Sequence, residues 1–297
     1  MTLAQKILRW YRTNGRDLPW RKTRDPYKIL VSEIMLQQTQ VQRGLLFYEK
    51  WLRRFPDWNA LANASNAEVI RAWAGLGYNR RALMLRDLAL AVVKHGVPKT
   101  EQDWLTLKGI GPYTAAAVAC FSLHEKTIPI DTNIRRVLGR LFFGIPYPQP
   151  AADDRIRKMA RTTLLDTTKK FYDVPQALFD LATAICLKEP VCNTCPWKDD
   201  CKSAPKFLSG RVRVPKAMIK KTKETHHNDK PYPDRIYRGR ILALVREKGV
   251  CRLSAVGPAI DPEFTENKDQ TWLKNMIKRM EKDGMIRQKN NGLTLPD

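Results

Sequence analysis

Four of the six cysteines fall within sixteen residues, as Cys186-x5-Cys192-x2-Cys195-x5-Cys201, and this constrains the 297-residue chain more than any other feature. Four thiolates on so short a loop can converge on one compact centre. Structural zinc sites more often pair two knuckles set twelve or more residues apart. Closely spaced cysteines, one of them followed by Pro196, suit a 4Fe-4S cluster better, with zinc or free thiols as the alternatives. A disulfide framework is not expected. Charged and polar residues interrupt the apolar stretch of residues 1–17, which reads as an amphipathic helix and not a signal peptide, so a reducing cytoplasmic compartment is the default. Cys120 and Cys251 lie apart from the four and read as core.

The rest of the first 200 residues reads as helix after helix. Asp25-Pro26 is a cap followed by proline, Ser65-Asn66-Ala67-Glu68 is a capping box, and residues 80–95 form a periodic segment closed by Gly96. Asp173 and Pro175 repeat the cap-then-proline pattern. Residues 202–230 hold nine Lys or Arg against Glu224 and Asp229, a composition that is usually solvated and could also track a phosphate backbone. From about residue 234 the pattern becomes helix, short helix, helix (270–283), then a hairpin flanking Asn291-Gly292, the order of a winged helix. The expected fold is therefore mainly α: a helical core over 1–205 including the cysteine loop 186–201, a basic linker over 206–230, and a small winged-helix-like α+β domain over 231–297. No apolar run is long enough to span a bilayer. Lys and Arg exceed Asp and Glu by 53 to 30, a net charge of +23, which points to a polyanionic partner such as nucleic acid.

Lys108-Gly109-Ile110-Gly111-Pro112-Tyr113-Thr114 lies between two expected helices. Its glycines permit a tight turn whose N–H groups can face an anion at the next helix N-terminus, with Lys108 and the Thr114 hydroxyl beside them. An ordinary helix-helix turn would look much the same. Together with Ser32-Glu33-Ile34-Met35-Leu36-Gln37-Gln38-Thr39-Gln40-Val41, Gly75-Leu76-Gly77-Tyr78, Ile130-Asp131-Thr132-Asn133 and the four cysteines, in that order, it resembles the MutY-type adenine DNA glycosylases of the helix-hairpin-helix, Gly/Pro-rich, Asp superfamily. The resemblance covers roughly residues 4–205 and implies a two-lobed glycosylase core with an iron-sulfur loop.

The residues carry a chemical argument beside that resemblance. Cleaving an N-glycosidic bond to a purine needs a proton for the departing base and negative charge near an oxocarbenium-like sugar. Glu33 lies in an otherwise mostly apolar helix, where burial should raise its pKa and keep it protonated. Asp131 begins a helix, whose dipole favours its ionised form. Taken alone, the two could equally be a buried ion-pair partner and a plain N-cap. The resemblance implies more. Glu33 would be the general acid toward N7 of adenine, and Asp131 the electrostatic stabiliser or nucleophile at C1′. Tyr113 would bond the acid and stand where lyase-active relatives carry a Schiff-base lysine, so the enzyme would be monofunctional. Asn133 would help orient the site. Gln37, Gln38, Thr39 and Tyr78 would meet the duplex, with Gln38 and Tyr78 wedged around a flipped base. Arg21 would approach the target base.

The expected activity is thus monofunctional removal of adenine mispaired with 8-oxoguanine or guanine in double-stranded DNA. It would be carried out by a cytoplasmic monomer, nucleoid-associated if prokaryotic, that holds a 4Fe-4S cluster on Cys186, Cys192, Cys195 and Cys201. Alternatives are a mismatch-specific thymine or uracil glycosylase on the same scaffold and a non-enzymatic iron-sulfur DNA-binding regulator. The β-rich domain with which such enzymes recognise 8-oxoguanine is not evident in residues 231–297, so opposite-base preference stays open.

Overall fold

The computed structural model describes residues 1–215, 225–227 and 230–297. In chain order the helices are α1 (Leu3–Asn14), α2 (Pro26–Leu36), α3 (Val41–Arg54), α4 (Trp58–Ala62), α5 (Asn66–Ala72), α6 (Arg80–His95), α7 (Glu101–Leu105), α8 (Pro112–Ser122), α9 (Thr132–Phe143), α10 (Asp153–Ala160), α11 (Asp173–Ala184) and α12 (Ala204–Leu208). Then come α13 (Asp234–Lys248), β1 (Cys251–Arg252), α14 (Leu253–Ile260), α15 (Glu266–Lys282), β2 (Arg287–Lys289) and β3 (Gly292–Thr294). The chain divides into two compact units, Met1–Glu33 with Val97–Met218 and Ile34–Gly96 with Ile219–Asp297. Among the described residues no helix is long and apolar enough to cross a membrane.

In the first unit α9, α10 and α11 pack Ile134, Val137, Leu138, Ile156, Val174 and Leu178 against one another, and α1 adds Ala4 and Ile7 to the same core. Helix α8 is buried over every residue from Thr114 to Cys120, as its lack of a polar face requires. The N-terminal helix is fastened to the cysteine loop, where Trp197 Nε1 donates to Leu3 O at 3.0 Å and Lys6 pairs with Asp200 at 2.6 Å.

In the second unit the Ser65–Glu68 capping box forms as the sequence suggests, with Glu68 N to Ser65 Oγ at 3.2 Å and Ser65 N to Glu68 Oε2 at 3.0 Å. Trp51 sits edge-on to both Trp73 and Phe55, with ring centroids 5.1 and 4.9 Å apart. The C-terminal segment is winged-helix-like: three helices and an antiparallel sheet of order β1-β3-β2. Tyr237, Ile241, Val256, Trp272, Met276 and Leu293 are buried within it. It joins residues 34–96 and does not stand alone: Arg80 Nε lies 3.7 Å from Asp283 Oδ1, and Gly284 packs on Asn66 and Leu83.

Four expectations need correction. The hairpin turn is one residue earlier than Asn291-Gly292. Asn290 and Asn291 take φ of 46° and 58°, the left-handed pair a two-residue type I′ turn demands, and Gly292 pairs with Lys289 in the ladder. Helix α15 begins at Glu266, a full turn before residue 270. Asp173 does not cap α11 but occupies its first turn, where the dipole still favours an acid. Of the basic linker expected over 206–230, residues 216–224 and 228–229 lie outside the described residues. The described part is not simply solvated: His227 stacks on Trp272 at 5.0 Å, and Lys230 bridges Asp261 and Asp269 at 2.7 and 2.8 Å.

Candidate active site

The first unit brings the acids together. Glu33 follows Ile29-Leu30-Val31-Ser32 on α2 and is 9% exposed. Burial pushes its carboxyl up to about 7; the Tyr113 hydroxyl, hydrogen-bonded to it, opposes the rise, the charge of Asp131 adds to it, and Arg21 opposes it. An acid that water would keep ionised is therefore about half protonated at neutrality. Tyr113 projects from the first turn of α8. Its own burial, and then the neighbouring Glu33, hold its hydroxyl well above the usual tyrosine range, so it is a neutral donor.

Asp131 is the N-cap of α9. Its Oδ1 accepts the N–H groups of Asn133 and Ile134 at 2.9 and 2.7 Å, and its Oδ2 accepts Asn133 Nδ2 at 2.7 Å. Three donors thus fix both carboxylate oxygens, and Asn133 supplies two of them.

Arg21 is anchored by an acid of α11. Its guanidinium forks onto Asp180, with Nη1 to Oδ2 at 2.7 Å and Nη2 to Oδ1 at 2.9 Å, and it also donates to Arg16 O at 3.1 Å. Arg16 Nε adds a second clasp on Asp180 at 2.6 Å. Burial alone would raise the Asp180 carboxyl, but the hydrogen bonds from Arg21 and Arg16 bring it below the usual range. Asp180 was missed in the sequence, although an acid inside Ala177-Leu178-Phe179-Asp180-Leu181 was a visible anomaly.

The glycine turn forms between α7 and α8. Gly109 has φ of 92°, which a side chain would strain, and Gly111 caps α8 with no side-chain bond to its first-turn N–H groups. Lys108 is exposed beside them. Thr114 is only 4% exposed because α8 is buried from that residue onward, so its hydroxyl is not presented to a phosphate.

The second unit brings together the residues that resemble duplex wedges. Gln38 and Tyr78 both have left-handed backbones, with φ of 57° and 47°, rare for residues with long or bulky side chains. Both side chains are exposed, Tyr78 at 54%. Arg81, itself 8% exposed, holds the two loops in place. From one side its Nη1 donates to the carbonyls of Ile34 and Met35, each at 3.0 Å, and to Gln37 O. From the other its Nη2 donates to Gly77 O at 3.1 Å, and the guanidinium lies 5.5 Å from the Tyr78 ring centroid. Thr39 is part of this brace, its Oγ1 accepting from Arg81 Nη2 at 3.3 Å. Sequence reasoning missed Arg81, which looks like one more basic residue at a helix start. A cavity of ≈ 540 Å³ opens beside the loops, walled by Gln37, Gln38, Tyr78, Arg235, Gly239 and Met285.

Among the described residues no group of three or more His, Cys, Asp or Glu is arranged to hold a single metal ion. Cys186, Cys192, Cys195 and Cys201 nevertheless line one narrow cavity with Arg140 and Lys198. Arg140, 1% exposed, donates to Leu187 O at 2.6 Å and Lys188 O at 2.9 Å and lies 3.5 Å from Cys186 Sγ. The loop's backbone closes around the cysteines, with Cys201 N donating to Trp197 O at 2.9 Å, Ser203 N to Arg140 O at 3.2 Å and Ala204 N to Cys201 O at 3.1 Å.

Residues 31–162 match the HhH-GPD superfamily base excision DNA repair protein. The adenine DNA glycosylase of Mycobacterium tuberculosis is 41% identical over 201 residues, 64% of this chain and 64% of that protein. That of Mycolicibacterium smegmatis is 33% identical over 298 residues, 97% of this chain and 93% of the relative. The chain belongs to the adenine DNA glycosylase family. Among solved structures, a thermostable thymine-DNA glycosylase is 31% identical with a TM-score of 0.63, covering 68% of this chain and 95% of that one. A trapped endonuclease III-DNA covalent intermediate shares the fold at 16% identity and a TM-score of 0.58, covering 69% and 95%.

Proposed function

We propose that the protein is a monofunctional DNA glycosylase of base excision repair that flips adenine out of a mispair with 8-oxoguanine or guanine and hydrolyses its N-glycosidic bond. The observation that carries this is Glu33: a buried carboxylic acid held near neutrality in pKa, hydrogen-bonded by a neutral tyrosine, with Asp131 close enough to raise it further. Glu33 delivers its proton to N7 of the adenine, the bond to C1′ breaks with its electron pair leaving on the base, and the Asp131 carboxylate faces the positive charge that develops on the sugar. Water then completes the hydrolysis. Tyr113 occupies the position at which a lysine would form a Schiff base, so strand cleavage does not accompany base removal. The uncapped amides at Gly111 hold a phosphate without reading sequence. Gln38 and Tyr78 fill the gap left by the flipped nucleotide.

Cys186, Cys192, Cys195 and Cys201 would hold a 4Fe-4S cluster. This reading rests on one cavity lined by all four cysteines with the buried Arg140 guanidinium beside them, and on their close spacing in the sequence, which suits a polynuclear centre better than zinc. When bound, the cluster supplies a cross-link across this loop and a one-electron redox centre.

The likeness to a thymine-DNA glycosylase supports a second reading, excision of thymine or uracil from mispairs with guanine. A raised Glu33 favours the first, because a departing purine needs the proton more than a departing pyrimidine. The decisive assay presents duplexes with A opposite 8-oxoguanine, A opposite G, T opposite G and U opposite G. Alkali-labile sites in the two adenine duplexes alone are expected. Cleavage confined to T or U would establish the second reading, and binding without cleavage of any duplex would remove both.

A further inference from the structure

The third helix of the C-terminal domain has two unlike faces. One buries Trp272, Leu273, Met276, Ile277 and Met280. The opposite face exposes Thr271, Lys274, Asn275, Lys278 and Lys282. Lys274, Lys278 and Lys282 stand four residues apart in a single row, where like charges repel and weaken a helix. Lys282 lies in the last turn, where the helix dipole favours a cation, but Lys274 and Lys278 lie in mid-helix and gain nothing from it. None of the three is ion-paired among the described residues, whereas Arg279 of the same helix reaches Asp234 at 3.1 Å. Glu281, at the edge of the row, has its carboxylate occupied by the Gln288 N–H at 2.9 Å, a bond that ties the hairpin to the helix. All three residues of β2 are exposed, and they add Lys289 and Arg287, the latter 3.5 Å from Asp297. The result is a row of exposed cations on one face with no internal counter-charge among the described residues, open to an external anion.

We propose that α15 and the β2–β3 hairpin form a second surface for double-stranded DNA, distinct from the glycine turn, with the lysine row on backbone phosphates and Thr271 and Asn275 facing a groove. The spacing fits a duplex better than an acidic peptide, because three cations in one line along a rigid helix match a regular row of phosphates. The inference takes its nucleic-acid partner from the proposed repair function, but it does not need adenine excision.

The test uses the full chain with Lys274, Lys278 and Lys282 all changed to Ala, and an undamaged duplex as probe. Affinity at 50 mM salt should fall at least tenfold, and the slope of log K against log salt should become shallower by about 2.7, at about 0.9 for each phosphate no longer neutralised. Thermal stability should hold or rise, since alanine is the better helix former and the repulsion is gone. The matching Lys→Arg triple should keep the native slope. An unchanged slope in a folded Lys→Ala triple overturns the surface, as does equal affinity loss in both triples. Tighter binding of native protein to single-stranded RNA than to duplex, with the same lysines responsible, overturns the choice of DNA. A native chain that excises no adenine but shows the slope change would sink the glycosylase reading and leave this surface standing.

Discussion

The acid cluster of the first unit and the wedge loops of the second solve opposite problems. Glu33, Tyr113, Asp131 and Asn133 sit on ordinary helical and capping backbone, and their unusual property is electrostatic: a carboxyl lifted to about 7 by burial. Gln38 and Tyr78 have exposed side chains, and their unusual property is conformational: two left-handed residues held by one guanidinium. A group that must give up a proton needs a changed medium. A group proposed to enter a duplex needs a fixed direction, and a strained backbone supplies one at some cost to stability.

The largest effect should come from the acid. Glu33→Gln should slow single-turnover excision by ~10²–10⁴-fold, with duplex affinity retained. On the proposed mechanism the protonated acid is the active form, so the rate should level off just below pH about 7, as long as Asp131 stays ionised, and fall tenfold per pH unit above it. The same shift predicts a stability gain. Ionising the buried acid costs the folded state, so Glu33→Gln should gain on the native chain between pH 4.5 and about 7, reaching about 3 kcal/mol above that. A flat rate profile to pH 9 would separate the buried acid from catalysis and break the comparison.

Next comes the brace. Arg81→Lys keeps the charge, but a single ammonium cannot span carbonyls on both loops. It should destabilise the protein by ~2–4 kcal/mol and slow excision on the order of 10²-fold through misplaced wedges. Protection from hydrogen exchange of the Thr39 and Leu76 amides, which donate to Leu36 O and Trp73 O in the two loops, should fall together; if only one loop loosened, the shared-brace account would fail. The smallest effect is the sharpest. Gln38→Gly and Tyr78→Gly remove left-handed strain and should each stabilise the fold by about 1 kcal/mol, while Tyr78→Gly weakens duplex binding through lost base stacking. A loss of stability in either variant would show that the side chain is packed and not merely presented.

What was legible in the sequence follows from range. The Ser65–Glu68 box, the Gly96 stop and the start of α6 at Arg80 depend on neighbours a few residues apart, and local spacing carries them. Glu33 stood out because it interrupts an apolar run. Arg81 did not, because the carbonyls it serves lie up to 47 residues away and nothing near it marks the pairing. The anchoring of Arg21 was equally hidden, because its partner Asp180 is 159 residues distant. The turn at Asn290-Asn291 was displaced by one residue because Asn-Gly is the stronger turn pair, while the ladder needs Gly292 opposite Lys289, where Val250 and the Lys289 carbonyl leave no room for a bulky side chain.

The fastening of α1 has a consequence for how the chain is made. Leu3 and Lys6 find their partners at Trp197 and Asp200, each 194 positions later, and Arg16 finds Asp180 after 164. At ~5–20 residues per second of synthesis, those partners emerge ~10–40 s after the helix that needs them. Until then its apolar stripe of Ala4 and Ile7 lacks the part of its cover that α11 supplies. Helix α1 thus leaves the ribosome well before the segment it docks on, and it closes over the cysteine loop when that segment arrives.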